Sequence, residues 1–278
     1  MALSESQIKG RIKNIAKSNN ADARVLLRIY MMEHFLERLS KSNYSDNFII
    51  KGGILVTSMV GISLRSTMDI DTTIRNFELS KDEAVKIVSD ICSIDINDNV
   101  TYEIKDVSHI MDDMDYPGIR LTLDASIGKM IVPIKIDIST GDVITPEAIE
   151  YEYEVLLENR SIRLWTYNLE TILAEKLQTI LSRGTLNTRM RDFYDIHILL
   201  LRFKNHLNKN IFREAFIATC KKRETTGLLT EGDKIIEIIM TDEGLSKLWT
   251  SYQNKYSYAE DISYQSIMES VSWLYYQK

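Results

Sequence analysis

The strongest constraint on the fold is the position of three aspartates within stretches of alternating apolar residues. Asp69 and Asp71 stand two residues apart in the run 67–74, and Asp137 lies between isoleucines in the run 130–139. Side chains two apart on a strand project from the same face. A carboxylate close to a core is costly unless a cation compensates it. The pattern therefore predicts two adjacent strands whose carboxylates converge on a pair of divalent cations.

The apolar neighbours of the first pair, Met68, Ile70 and Ile74, are expected to point the other way, into a core. On its own, an Asp-x-Asp pair is also typical of a solvent-facing strand. The third aspartate, in a second apolar run, makes the metal site the better interpretation.

A pair of glycines, Gly52-Gly53, follows a short buried strand over 48–50 and opens a helix. Glycines let the backbone approach a phosphate closely, and a helix N-terminus offers unpaired amides and the positive end of its dipole. A plain turn also explains an isolated Gly-Gly pair. Arg65 either orients a phosphate or pairs with Asp69, and the sequence leaves both interpretations open.

Two charged clusters lie in the second half of the chain. Lys176 stands in an apolar helix, where it is either a surface residue or a group that neutralises triphosphate charge. Asp192 and Asp195 share a helix face, and Arg191 and Asp195 form an i, i+4 pair. The simple interpretation is one surface salt bridge, and the functional one places these residues at the rim of a nucleotide pocket. Spacing alone favours the simple one.

The order of periodic segments predicts an α+β protein. In the first half we expect helices over 23–39, 53–61 and 81–93, strands over 48–50, 67–74, 100–107, 118–126 and 130–139, and a hairpin over 153–165. From residue 168 onward the pattern is helical, and all three prolines precede residue 147. The helices are expected over 169–182, 188–203, 210–222, 232–240, 242–255 and 264–276. We therefore expect two domains, over residues 1–165 and 166–278.

The net charge of −6 is unevenly distributed. The segment 176–223 holds 11 Lys or Arg against 3 Asp or Glu, a net charge of +8, which leaves −14 for the remainder. A solvated helical face is the ordinary explanation, and a surface that holds RNA beside an acidic metal site is the sharper one. No apolar run reaches the roughly 20 residues of a membrane span, the segment 1–17 lacks a signal-peptide core, and two distant cysteines offer no disulfide framework. We therefore expect a cytoplasmic protein with no membrane partner.

Taken together, these residues resemble the four motifs of the AbiEii/AbiGii toxin family, nucleotidyltransferase-like proteins of the DNA polymerase β superfamily. The resemblance extends over residues 48–201, and the combination is specific although each piece alone is not. The motifs are Gly52-Gly53, Arg65-x-Thr67-x-Asp69-x-Asp71, Lys135-x-Asp137, Ala174-Glu175-Lys176-Leu177 and Arg191-Asp192-x-x-Asp195. The wider superfamily commonly carries Gly-Ser in place of the Gly-Gly pair, so a serine contact to phosphate is missing here.

The resemblance implies a nucleotidyltransferase-like mixed β-sheet with flanking helices, followed by an α-helical domain that completes the active-site cleft. It implies Mg²⁺ as cofactor and an NTP as substrate, with GTP or CTP favoured. By position, Asp69 and Asp71 would bind the metal with Asp137, Lys176 would contact the nucleotide, and Asp192 or Asp195 would be the catalytic carboxylate. The other nucleotide-binding residues would be Gly52, Gly53, Arg65, Thr67 and Arg191.

Related toxins add nucleotides to the 3′ acceptor end of tRNA. The resemblance therefore implies the toxin of an abortive-infection, phage-defence toxin–antitoxin pair, which moves NMP from NTP to an RNA 3′ end, with tRNA favoured as the RNA. It implies an antitoxin encoded alongside that represses transcription without binding the toxin directly. Thr67 falls where some relatives carry a serine that is phosphorylated to silence the toxin. Two alternatives are left open: nucleotide transfer to a protein hydroxyl, and a non-catalytic NTP-binding regulator.

Overall fold

The structure is a computed structural model that describes residues 3–77, 79–110 and 118–278. The chain divides into two compact units. The first comprises Met1–Asp142 and Ile149–Thr166, and the second comprises Val143–Ala148 and Tyr167–Lys278.

In its described residues, the first unit is a seven-stranded sheet with four helices. The helices are α1 (Glu5–Ser18), α2 (Ala23–Ser40), α3 (Gly52–Val60) and α4 (Lys81–Cys92). The strands are β1 (Phe48–Lys51), β2 (Ile70–Ile74), β3 (Thr101–Ile110), β4 (Gly118–Ile127), β5 (Met130–Thr140), β6 (Ile149–Glu154) and β7 (Ser161–Thr166). Their order is β3-β4-β5-β2-β1-β7-β6. The pairs β2–β5 and β1–β7 are parallel and the others antiparallel, which confirms the predicted mixed sheet.

Local sequence signals explain the helices of this unit. The side chain of Ser80 accepts a hydrogen bond from the backbone of Glu83 and begins α4 at the predicted position. Helix α1 was not predicted, although Ser4 and Gln7 form a full capping box at its start. Ile8 and Ile12, one turn apart, are buried on its inner face. Its high polarity hid this spacing.

The hairpin of β4 and β5 has the register that a two-residue turn dictates. Gly128 adopts a φ of +58° in the turn, and Ile127 pairs with Met130 across it. Pro133 lies inside the predicted strand 130–139, where a proline indicates an edge or a bulge. In the described pairing, β5 contacts β2 only from Ile136 onward, so the segment around Pro133 has a partner strand on one side. The edge interpretation is confirmed.

The strand expected over 67–74 is shorter than predicted. Its pairing with neighbouring strands covers only Ile70–Ile74, so Asp69 lies in a bend before the strand. Met68 is 42% exposed, so the expectation that it points into the core was wrong, whereas Ile70 is buried as expected. Asp69 and Asp71 therefore do not project from one strand face, and the backbone bend sets the direction of Asp69.

The second unit is helical, as predicted. Its helices are α5 (Leu169–Arg183), α6 (Met190–Phe203), α7 (Lys209–Lys222), α8 (Leu228–Met240), α9 (Glu243–Lys255) and α10 (Tyr264–Tyr275). Asn168 caps α5 through a hydrogen bond from Thr171, and Gly184 ends it. Helices α6, α7 and α8 pack against α5, and α10 packs against α6 and α8. Among the helices in the described ranges, none is long and apolar enough to cross a membrane.

Candidate active site

The three aspartates predicted to converge lie together in the first unit. Each of Asp69, Asp71 and Asp137 offers one carboxylate oxygen, and these oxygens lie within 4.8 Å of one another. Asp71 on β2 stands directly opposite Asp137 on the parallel strand β5. Asp69 reaches the same place from the bend before β2. All three side chains are half-buried.

The sheet register extends this site into a row of charges across four strands. Arg120 on β4 is opposite Asp137 on β5, and Lys51 on β1 is opposite Asp71 on β2. Directly opposed residues share a face of the sheet. The row therefore reads Arg120, Asp137, Asp71, Lys51, with two cations flanking two carboxylates. Neither cation was predicted as part of the site.

Arg120 holds both oxygens of Asp137. Its Nε donates to Oδ1 at 2.7 Å and its Nη2 donates to Oδ2 at 2.6 Å. This two-pronged geometry is the strong form of an ion pair between arginine and a carboxylate. The hydrogen bond to Asp137 raises the pKa of Arg120. The register of the β4–β5 hairpin, fixed by the turn at Gly128, was the sequence signal that could have identified Arg120.

Lys51 has its own partners at the other end of the row. Its Nζ donates to Ser139 Oγ at 2.8 Å and to the Asp142 carboxylate. Burial alone would raise the pKa of Asp142, but the positive charge of Lys51 and the hydrogen bonds to the carboxylate outweigh burial and lower it. Lys51 and Asp142 thus form a neutral pair, and the excess negative charge stays on the three aspartates.

Asp71 occupies an unfavourable position for a negative charge. Desolvation of its carboxylate, followed by the charge of Asp69, raises the pKa of Asp71. Its Oδ2 accepts a hydrogen bond of 3.0 Å from the Gly53 amide at the start of α3, where the helix dipole favours an anion. The Gly53 amide, which the sequence analysis offered to a phosphate, has a protein partner here. Three carboxylates with this excess charge fit a divalent cation, for which carboxylate oxygens are suitable ligands.

The glycine pair is required by close contacts with the acidic site. Gly52 has a φ of +63°, and a Cβ there would lie 2.0 Å from Asp71 Oδ2. A Cβ on Gly53 would lie 2.5 Å from Thr67 Oγ1 and 2.7 Å from Arg65 Nη1. The serine common in the wider superfamily therefore does not fit this backbone and these neighbours. The hydroxyl of Thr67 occupies the space beside Gly53 instead.

Arg65 and Thr67 are buried, with exposures of 2% and 0%. Arg65 Nη1 donates to the Ser66 carbonyl at 2.6 Å, and Thr67 Oγ1 lies 3.3 Å from the Asp69 carbonyl and 3.4 Å from Asp69 Oδ1. Their contacts hold the bend that presents Asp69.

The second unit contains a separate buried charge cluster. Lys176 Nζ donates to Asp195 at 2.7 Å and to Asp192 at 3.1 Å, and Arg189 Nε donates to Asp192 at 2.7 Å. The side chains of Asp192 and Asp195 are 5% and 0% exposed, and that of Lys176 is 12% exposed. Of the two interpretations left open for Lys176, the surface one is therefore wrong, and so is the surface salt bridge that spacing favoured for Asp195. Arg191 donates from Nη2 to the Tyr256 hydroxyl at 3.0 Å.

Comparison with known proteins adds one strong match. A family model described as "Nucleotidyl transferase AbiEii toxin, Type IV TA system" matches residues 34–275. No curated protein matches the chain significantly.

Solved structures give weaker similarity. JHP933 from Helicobacter pylori is 16% identical, with 92% of this chain and 91% of that chain covered and a TM-score of 0.48. An antigenic nucleotidyltransferase-like protein from Paracoccidioides brasiliensis is 12% identical, with 97% and 95% covered and a TM-score of 0.35. At these identities and TM-scores the structural similarity supports no functional inference.

Proposed function

This chain belongs to the AbiEii nucleotidyl transferase toxin family of type IV toxin–antitoxin systems, and on that premise we propose that it transfers NMP from an NTP to the 3′ hydroxyl of an RNA. The acceptor end of tRNA is the proposed target, and GTP or CTP the proposed nucleotide. In this reaction the 3′ oxygen attacks the α-phosphorus and pyrophosphate leaves. The proposed consequence is arrest of growth in the producing cell, as phage defence by abortive infection requires.

The observation that carries this proposal is the convergence of three carboxylates in a chain of this family. Asp69, Asp71 and Asp137 offer oxygens within 4.8 Å of one another, and we propose that they hold Mg²⁺. When bound there, Mg²⁺ would activate the acceptor hydroxyl and stabilise charge on the leaving pyrophosphate. Gly53 and the start of α3 fix the orientation of Asp71 through its Oδ2.

Arg65 and Thr67 are proposed nucleotide-binding residues through the family motif, and we propose that they also position the carboxylates. Their contacts around Gly53 and Asp69 set the geometry of the carboxylates. Gly52 keeps the space that the Asp71 carboxylate needs.

In the second unit, Lys176, Arg191, Asp192 and Asp195 are proposed active-site residues through the family motif. Within that cluster the charge of Lys176 is shared by two carboxylates. We therefore propose that Lys176 first of all orients Asp192 and Asp195, one of which is the catalytic carboxylate.

The basic segment 176–223 supports RNA as the acceptor. Seven of its 11 cationic side chains are exposed, and they are Arg183, Arg189, Arg202, Lys204, Lys209, Arg213 and Lys221. Exposed lysine and arginine side chains neutralise backbone phosphates without reading sequence. A protein acceptor has no comparable feature in its favour among the described residues.

A single experiment separates this proposal from its rivals. The purified protein is incubated with total cellular RNA, Mg²⁺ and each labelled NTP in turn, beside the Asp71→Ala variant and a reaction with EDTA. We expect label on RNA of tRNA size from one preferred NTP, and none with the variant or with EDTA. Label on protein instead would favour transfer to a protein hydroxyl. Nucleotide binding without pyrophosphate release would favour a non-catalytic regulator.

A cellular test checks the toxin assignment separately. Expression of the wild-type chain without its antitoxin is expected to arrest growth, and expression of Asp71→Ala at equal level is expected to leave growth normal. Growth arrest by the variant would contradict a role for the carboxylates in toxicity. Because the proposed antitoxin acts at transcription, no stable toxin–antitoxin complex is expected on co-purification.

A further inference from the structure

Arg120 gives the carboxylate site a definite charge balance. The three aspartates contribute −3 and Arg120, bound to Asp137, contributes +1, which leaves −2. The neighbouring Lys51 is paired with Asp142, and this pair adds no net charge. A net charge of −2 matches one divalent cation and leaves no charge for a second.

The position of Arg120 is built into the sheet. Arg120 and Asp137 are directly opposed on neighbouring strands, and the ion pair uses both carboxylate oxygens. The side chain of Asp137 is 13% exposed and that of Arg120 is 33% exposed. The guanidinium, held in this way, occupies lone pairs on both Asp137 oxygens that a second cation would need. Among the described residues, no arginine holds both carboxylate oxygens of Asp69 or of Asp71 in this way.

We propose that Arg120 masks Asp137, so that the nucleotide-free protein binds one divalent cation, on Asp69 and Asp71. The second cation position is exposed only when the Arg120 guanidinium leaves Asp137. Arg120 is therefore a positioning residue that sets the number of cations the site accepts. This inference rests on the proposed function, because it assumes that the carboxylates bind metal.

The test is a count of bound Mn²⁺ in the absence of nucleotide. Protein is titrated with Mn²⁺, and free Mn²⁺ is measured from its electron paramagnetic resonance signal. We expect one Mn²⁺ per chain for the wild type and two for Arg120→Gln, with the first bound about tenfold more tightly than in the wild type, because a nearby positive charge has been removed. The double variant Arg120→Gln/Asp137→Asn is expected to return to one.

The controls separate charge from geometry. Arg120→Lys keeps the charge, and we expect one Mn²⁺ per chain. Arg163→Gln removes an arginine that is 69% exposed on β7 and pairs with Glu150 and Glu152, and wild-type binding is expected. Circular dichroism monitors the fold of each variant.

If Arg120→Gln does not fold, Asp137→Asn is compared with the double variant. The unpaired guanidinium in Asp137→Asn should oppose the cation, so the double variant is expected to bind the first Mn²⁺ about tenfold more tightly. Equal affinities would show that the charge of Arg120 does not act on the cation site, which would overturn the charge balance on which the inference stands.

The outcomes distinguish this inference from the proposed function. No Mn²⁺ bound by the wild type would remove the metal from the proposed function itself. One Mn²⁺ in both the wild type and Arg120→Gln, with equal affinity, would overturn only the masking role of Arg120. Two Mn²⁺ in the wild type would also overturn only the masking role, because the site would then accept a second cation while Arg120 is paired with Asp137.

Discussion

At the scale of single residues, Asp71 carries a charge in a position that is costly without a cation. Desolvation and the neighbouring charge of Asp69 raise its pKa. The amide oxygen of asparagine would still accept the Gly53 hydrogen bond. We expect Asp71→Asn to be at least as stable as the wild type at pH 8 in EDTA, because the substitution removes charge repulsion.

Adding Mg²⁺ should reverse the order of the two proteins. The wild type is expected to gain stability through cation binding, and Asp71→Asn is expected to gain little. Denaturant unfolding with and without Mg²⁺ measures both effects. A variant that is clearly less stable than the wild type in EDTA would contradict the electrostatic interpretation of Asp71.

The burial of Glu33 on α2 leads us to expect that the unfolding free energy depends on pH. Burial raises the pKa of Glu33 to about 8, despite hydrogen bonds from the Leu156 amide and the Tyr153 hydroxyl that lower it. Between the ordinary glutamate value near 4.5 and about 8, the folded chain keeps a proton that the unfolded chain has lost. The contribution of Glu33 to stability therefore falls as pH rises through this window.

We expect Glu33→Gln to remove this slope. From pH 5 to pH 8.5 the wild type should lose more unfolding free energy than the variant, so the variant becomes relatively more stable. Denaturant titrations of both proteins at the two pH values measure it. An unchanged difference would show that Glu33 does not hold the extra proton.

Residue patterns predicted the acidic site better than its partners. Asp71 and Asp137 were found because each alternates with buried isoleucines, and the structure places them opposite each other. The role of Arg65 was left open, because its burial and its contact with Ser66 depend on the backbone conformation that leads to the bend at Asp69. Local spacing does not contain that information.

At the scale of elements, the junction of β1 and α3 sets the space around the site. A serine at position 53 would place its Cβ 2.5 Å from Thr67 Oγ1 and 2.7 Å from Arg65 Nη1. We expect Gly53→Ser to lower the unfolding free energy by about 1–3 kcal/mol, because two buried side chains must move. We also expect weaker Mn²⁺ binding.

The matched control is Gly10→Ala in α1. No atom lies within 4 Å of the Cβ that it would add, and alanine is preferred over glycine in a helix by about 0.5–1 kcal/mol. The two glycine substitutions should therefore have opposite signs in the same unfolding assay. A stable Gly53→Ser with normal Mn²⁺ binding would show that the tight junction is not required.

The packing of α5 against α6 makes a second element-scale prediction. Lys176 is the shared partner of Asp192 and Asp195. We expect Lys176→Met to lower the unfolding free energy by about 3–5 kcal/mol, because it removes the cation that two buried carboxylates share, although Asp192 keeps its ion pair with Arg189. Lys247→Met is the control, since Lys247 is 80% exposed and pairs only weakly with Glu243 at 3.6 Å.

Equal stability of the two lysine variants would contradict the structural role of Lys176. Loss of activity alone would then point to a direct contact with nucleotide. The sequence could not predict this cluster, because Lys176 and the two aspartates are brought together by helix packing rather than by spacing along one helix.

Elements were predictable where the period was strong or a cap was present. The helices from α5 onward begin and end within a few residues of the expected positions. Two errors have different physical causes. The high polarity of α1 concealed its two buried isoleucines. The strand β2 is shorter than predicted because strand pairing begins only at Ile70, and periodicity does not report pairing.

At the scale of the whole molecule, the order of motifs along the chain was sufficient to predict the family and the mixed sheet. The family match over residues 34–275 confirms the first, and the strand pairings confirm the second. Arg120 was accessible to the same reasoning, because the turn at Gly128 fixes its register opposite Asp137. The place of Arg120 in the site also depends on the strand order, because that order places Asp137 between Arg120 and Asp71.

The most direct test of the account is pyrophosphate release from NTP in the presence of total RNA and Mg²⁺, compared between the wild type and Asp71→Asn. The account predicts release by the wild type and a loss of about 100-fold or more in the variant, with its fold intact by circular dichroism. Release by Asp71→Asn at the wild-type rate would contradict the claim that these carboxylates are the centre of nucleotide transfer.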